Sequence, residues 1–188
     1  ANGRLLWGVK HSALPITSVA CASGVVATCD SSGNIKLWNA GGKLEADWCS
    51  QPRVTKLVML DPNLLITAGE AVIAWEGDRI RWQNSDHGEV SVIVQVEHLD
   101  AVALALSRSV ELWHSWSGEY ICSLATEEIP RSLCCSPMAV IIATQFRMLV
   151  WQPQAERVLK EFEVDGSEVL AVAFAEDFQS VLYLLEGE

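Results

Sequence analysis

Asp86-His87 and any serine could be drawn as the acid, base and nucleophile of a hydrolytic triad. A triad is a three-dimensional arrangement, and adjacency along the chain says nothing for it. The ordinary role for His87 is a loop histidine that helps cap a strand unit. The four histidines, His11, His87, His98 and His114, lie in three different copies of a repeat and lack zinc-ligand spacing, so no metal is expected. Gly41-Gly42 reads as a strand turn. Gly3, Gly8, Gly24 and Gly33 fit no phosphate-cradling pattern, so no cofactor is expected either. Six cysteines occur, at 21, 29, 49, 122, 134 and 135, with no C-x-x-C pair. The adjacent Cys134 and Cys135 should point to opposite faces of a strand. A chain that is half hydrophobic needs no disulfide staples, so reduced, mostly buried thiols and a cytosolic or nuclear setting are expected.

Such residues need a scaffold to position them. The chain has 188 residues, with 13 Lys+Arg against 24 Asp+Glu and a net charge of −11. One domain with a real core is expected, and a disordered chain is excluded. The longest apolar stretches, such as Ala101-Val-Ala-Leu-Ala-Leu106, fall well short of the ~18 residues of a membrane span. No signal peptide is expected in Ala1-Asn-Gly-Arg-Leu-Leu-Trp7. The acidic balance opposes a phosphate-tracking surface, which disfavours RNA or DNA as a partner.

Self-similarity dominates the sequence. Trp38, Trp75, Trp113 and Trp151 stand 37, 38 and 38 residues apart, and each closes an alternating segment such as Asn34-Ile-Lys-Leu-Trp38. Period two marks a strand with one buried face. A second row, Cys21, Met59, Val96, Cys135 and Phe174, keeps step with the first at spacings of 38, 37, 39 and 39. These five are predicted to point into cores between units, which makes reactive thiols at Cys21 and Cys135 implausible. A third strand lies between the landmarks and a fourth follows each Trp. The unit is four antiparallel strands, and the fold class is all-β.

These residues resemble the WD40-repeat family, whose units are the four-stranded antiparallel blades of a β-propeller. The first copy is nearest: Ile16-Thr-Ser-Val-Ala, then Cys29-Asp30-Ser-Ser-Gly33-Asn-Ile-Lys-Leu-Trp38-Asn39, similar to the family's strand a and its Asp-to-Trp-Asp stretch. Cys135-Ser136-Pro137 stands where the family often has an aromatic followed by Ser-Pro. His11 and His87 stand where its Gly-His dipeptide falls, with Lys10 and Asp86 in place of Gly. The dipeptide after strand c reads Trp38-Asn39, Trp75-Glu76, Trp113-His114 and Trp151-Gln152, and copies two to four lack the Asp before strand c. The family's Asp–His–Ser–Trp hydrogen-bond tetrad is therefore not expected in any blade.

The register places blades at about 14–49, 53–86, 89–126 and 128–164, with strand d alone in 1–10 and strands a and b alone in 167–188. This reading expects part of a larger ring, with the remaining blades supplied by unseen chain or a partner subunit. Resemblance also suggests a role: a non-enzymatic scaffold binding a protein or peptide on the face of the d–a and b–c loops. Gln51, Pro52, Arg53, Arg108, Arg131, Gln145, Phe146 and Arg147 map to that face. Its four arginines could receive an acidic or phosphorylated segment by bidentate pairing, or be scattered solubilising charge. A ubiquitin-ligase substrate receptor is one alternative. A propeller enzyme is another, but the starts of strand a (Ile16, Val54, Ser91, Pro130, Val169) are nearly all apolar, so none is expected. Trp48, Trp82 and Trp116 are blade-edge packing or interface anchors. Glu127-Glu128 and Glu186-Gly-Glu188 read as solvated charge.

Overall fold

A computed structural model describes residues 7–50, 53–164, 168–174 and 180–186. It is all-β: within the described residues the only helical turns are single 3₁₀ turns at Glu97–Leu99 and Pro153–Ala155. The residues cluster into two compact units, 1–85 and 86–188. No helix among the described residues is long and apolar enough to cross a membrane.

The first unit holds two blades. Blade 1 is β1 (Ile16–Ala22), β2 (Val25–Asp30), β3 (Asn34–Asn39) and β4 (Leu44–Cys49). Blade 2 is β5 (Val54–Asp61), β6 (Leu64–Gly69), β7 (Val72–Glu76) and β8 (Arg79–Asn84). In the second unit, blade 3 is β9 (Val92–Val96), β10 (Ala101–Ala105), β11 (Ser109–His114) and β12 (Tyr120–Ala125). Blade 4 is β13 (Ser132–Cys135), β14 (Val140–Ala143), β15 (Arg147–Gln152) and β16 (Arg157–Glu163). A two-stranded sheet follows, β17 (Val169–Phe174) and β18 (Val181–Leu185). Every sheet is antiparallel with its strands in chain order.

Burial grades across each blade. The second strands of blades 2, 3 and 4 (Leu-Leu-Ile-Thr-Ala-Gly, Ala-Val-Ala-Leu-Ala and Val-Ile-Ile-Ala) are buried at every residue. A strand covered on both faces reads as a continuous apolar run, not an alternation. Outermost β16, Arg-Val-Leu-Lys-Glu-Phe-Glu, is exposed throughout. The strand-c tryptophans occupy equivalent positions, opposite Val26, Leu65, Val102 and Val140 on the neighbouring strand. Each c–d ladder shifts register at its Trp, so four equivalent bulges mark these residues.

Cores form where one blade faces the next. Ile35, Leu37, Leu57, Met59, Ile73 and Trp75 join blades 1 and 2, with Ala20 and Ala22 packed against them. Val96, Leu112, Leu133, Ile142 and Trp151 join blades 3 and 4, with Cys135 alongside. Cys134 and Phe174 pack instead against the core of blade 4 and β17, so the two adjacent cysteines do face opposite ways. Serines stitch two of these junctions: Leu57 N–H donates to Ser18 Oγ at 3.0 Å, and Val172 N–H to Ser132 Oγ at 3.2 Å.

One member of the predicted core row departs. Met59 and Val96 are buried, and Cys135 and Phe174 are half-buried, but Cys21 is exposed. In β1 it is Ala20 and Ala22 that meet blade 2. Cys21 shares the opposite face with Val19, which is 59% exposed. The strand expected in residues 2–7 lies outside the described residues except for Trp7, whose indole N–H donates to Ala40 O at 2.8 Å. Gln51, Pro52, Gly187 and Glu188 also lie outside them.

Candidate functional site

Blade 1 carries a polar network that corrects the sequence reading. Trp38 Nε1–H donates to Thr28 Oγ1 at 2.9 Å, and Thr28 Oγ1 lies 2.6 Å from His11 Nδ1. His11 Nε2 stands 3.5 Å from Asp30 Oδ2. Blade 1 therefore gathers the four groups of the Asp–His–hydroxyl–Trp tetrad, with threonine as its hydroxyl, although His11 meets Asp30 by close approach and not by a hydrogen bond. The indole can only donate, so Thr28 Oγ1 accepts from it, and the same hydroxyl donates to Lys36 O at 3.4 Å. Asp30 is fully buried, and it accepts from the backbone of Ser32 (2.9 Å) and Asn34 (3.1 Å) and from the Asn34 amide (2.9 Å). Burial alone would raise its pKa, but hydrogen bonds from Asn34, Ser12 and Ser32 outweigh it and bring the carboxyl down to about 2. Burial lowers the pKa of His11, against the opposing pull of Asp30. Lys36 Nζ donates to His11 O at 2.7 Å and fixes the incoming linker.

The other blades keep fragments of this arrangement. In blade 2, Trp75 Nε1–H donates to Thr67 Oγ1 at 3.1 Å, but Gly69 stands where blade 1 has Asp30. A Cβ on Gly69 would lie 2.6 Å from Arg53 O and 2.9 Å from Val54 Cα, so the passing backbone admits no side chain. In blade 3, Leu104 and Leu106 replace the Thr and the Asp. His87 then packs edge-on against Trp113, centroids 6.5 Å apart, and its Nδ1–H donates to Gly88 O at 2.8 Å. The Trp113 indole turns to Glu111 at 3.0 Å. In blade 4, Ile142 replaces the Thr, and Trp151 is buried among apolar side chains.

A second cluster forms on the second unit, where the linker from β12 to β13 meets the β14–β15 turn. Glu128 Oε2 accepts from Thr144 Oγ1 (2.6 Å) and from Phe146 N–H (3.3 Å). The Thr144 bond chiefly lowers the Glu128 pKa against the effect of burial. Arg147 Nη1 lies 2.8 Å from Glu127 and 3.0 Å from Glu161, and its Nε lies 3.9 Å from Glu128. Glu127 first, then Glu161 and Glu128, hold that guanidinium above its ordinary range. Arg131 pairs with Glu168, which also accepts from Gln145. Two apolar side chains are exposed beside Glu128: Ile129 (58%) and Phe146 (43%).

Of the sequence-predicted residues, Arg131, Gln145, Phe146 and Arg147 thus share one surface of the second unit. Arg108 adjoins it: its carbonyl accepts from Thr126 N–H at 2.9 Å, and its side chain makes no ion pair among the described residues. Arg53 belongs to the first unit, exposed just before β5. Glu127, Glu128, Ile129, Glu161 and Glu168 were not singled out as site residues. The signal available was the Glu127-Glu128 pair, but Glu127 stands 20 residues before Arg147, and only the folded linker brings the two together. All six cysteines are free thiols, and burial pushes Cys29 up to about 11 and Cys134 and Cys135 up to about 12. Trp48 packs on Trp75 with centroids 5.6 Å apart, whereas Trp116 is 41% exposed.

Four-stranded blades with a tryptophan at one fixed position of the third strand define the WD40 β-propeller fold. Among solved structures, the C-terminal WD40 domain of Sif2 shares it, with a TM-score of 0.78 at 17% sequence identity. The match covers 91% of this chain and 52% of that one, so the chain spans about half the length of its structural neighbour. No family model and no curated protein matches the sequence.

Proposed function

We propose that this chain is a non-enzymatic scaffold for protein–protein contact within a larger protein or complex. Its docking surface is the one built by Arg131, Gln145, Phe146 and Arg147. The observation that carries this reading is the exposure of Phe146 and Ile129 beside a lattice of ion pairs that holds their turns. Apolar anchors ringed by polar groups suit a protein partner. The WD40 fold supports such a role in general, and the neutral, half-buried Cys134 and Cys135 favour packing over chemistry. Six free thiols fit a cytoplasmic or nuclear setting.

An acidic or phosphorylated partner was one expectation, but Arg131 and Arg147 already hold carboxylates, and such a segment would have to displace them. The test is affinity capture with quantitative mass spectrometry, comparing the wild-type chain with Phe146→Asp. Proteins lost selectively with Phe146→Asp, while its thermal melt is unchanged, are the expected result. An identical protein set on both baits would refute the assigned surface.

A further inference from the structure

A cavity of about 180 Å³ lies beside Arg147, lined among others by Thr126, Glu127, Glu128, Thr144 and Glu161. Three carboxylates there face one guanidinium, so the cavity keeps an excess of negative charge. Thr126 is only 7% exposed, and its Oγ1 is buried without a hydrogen-bond partner among the described residues. A buried hydroxyl left unpaired is destabilising, and beside surplus carboxylate its lone pairs suit a donor that carries positive charge. No group of three His, Cys, Asp or Glu among the described residues could hold a metal ion. A compact ammonium with three donors fits: it can reach a hydroxyl and two carboxylates at once. The chain's net charge of −11 would draw a basic partner toward it from a distance.

We propose that this cavity receives a lysine side chain from a basic segment of the partner protein, the ammonium donating to Thr126 Oγ1 and to the Glu127 and Glu161 carboxylates. Phe146, on the turn beside it, packs against the segment's neighbouring residues. This inference rests on the scaffold reading and gives its partner a chemistry. It also gives Arg147 a role other than anion receptor: it organises the carboxylates that receive the ammonium.

The test is fluorescence anisotropy of the whole chain with three labelled ten-residue Gly/Ser peptides. One carries a central Lys-Lys pair, one the same lysines acetylated, and one phosphoserines in their place. Lysine peptide binding is expected, with loss on acetylation, which removes the charge. Glu161→Gln and Thr126→Val should each weaken it by about tenfold, the worth of one charge-assisted bond. Glu45→Gln, on exposed β4 of the first unit, should leave it unchanged. Thr126→Val preserves net charge, so it separates a seated ammonium from diffuse attraction, and its melting temperature should not fall because no satisfied bond is lost. Equal binding of lysine and acetyl-lysine peptides, no binding of either, indifference to Thr126→Val, or preference for the phosphopeptide would each overturn the lysine site. If the lysine site fails while Phe146→Asp still abolishes protein capture, the scaffold reading stands alone.

Discussion

Blades 1 and 2 pack together in the first unit and share a core, yet they close the same corner by opposite means. Blade 1 fills it with Asp30, His11 and Thr28, all buried and joined to Trp38. Blade 2 empties it: Gly69 lets the backbone of Arg53 and Val54 pass where a carboxylate would stand, and only the Trp75–Thr67 bond remains. A blade therefore does not need the full network. Packing of the inner strands suffices, and the polar version adds to it the Trp38–Thr28 and Asp30–Asn34 hydrogen bonds.

Breaking the blade 1 corner should give the largest effect. Asp30→Ala strands the Ser32 and Asn34 donors and should destabilise the first unit by about 4 kcal/mol in a urea titration. Gly69→Ala attacks the blade 2 corner through sterics. With backbone on the near side at 2.6 Å, it should lose about 3 kcal/mol by the same titration. Acid then discriminates the two blades. Asp30 has a folded pKa of about 2, below its ordinary value of about 3.9, so its contribution of about 2.5 kcal/mol is complete above pH ~4 and lost as pH falls toward 2. His11, lowered likewise, contributes stability above its ordinary value that declines as pH drops below about 6.5. Asp30→Asn should flatten the acid limb measured by denaturation at stepped pH. The smallest contrast is between the threonines: Thr28→Val should lose about 2 kcal/mol, since it orphans both Trp38 and His11, and Thr67→Val about 1.

The blades themselves were legible because two landmark rows repeat at near-constant spacing, and period-two alternation needs no knowledge of neighbours. The corner was not. Thr28, Asp30 and Trp38 lie within eleven residues of one another, but His11 reaches them only through the folded linker, and the loss of Asp from the later copies was wrongly extended to the first. Cys21 failed for a related reason: register says which residues share a face, not whether another blade covers that face. The four arginines were placed on a common loop side by analogy. Which of them already hold a carboxylate depends on Glu161 and Glu168, residues on other strands and linkers that spacing cannot align with them.

In the proposed division of labour, blade 1 is buttressed for stability and the Arg131–Arg147 surface makes the contact. Site-specific photo-crosslinking tests that division most directly, with a photoreactive residue at Phe146 in the second unit or at exposed Leu44 in blade 1. Protein adducts should form from position 146, fall sharply when Glu161→Gln is added, and be absent from position 44. Adducts of equal yield from both positions, or adducts at 146 untouched by Glu161→Gln, would contradict it.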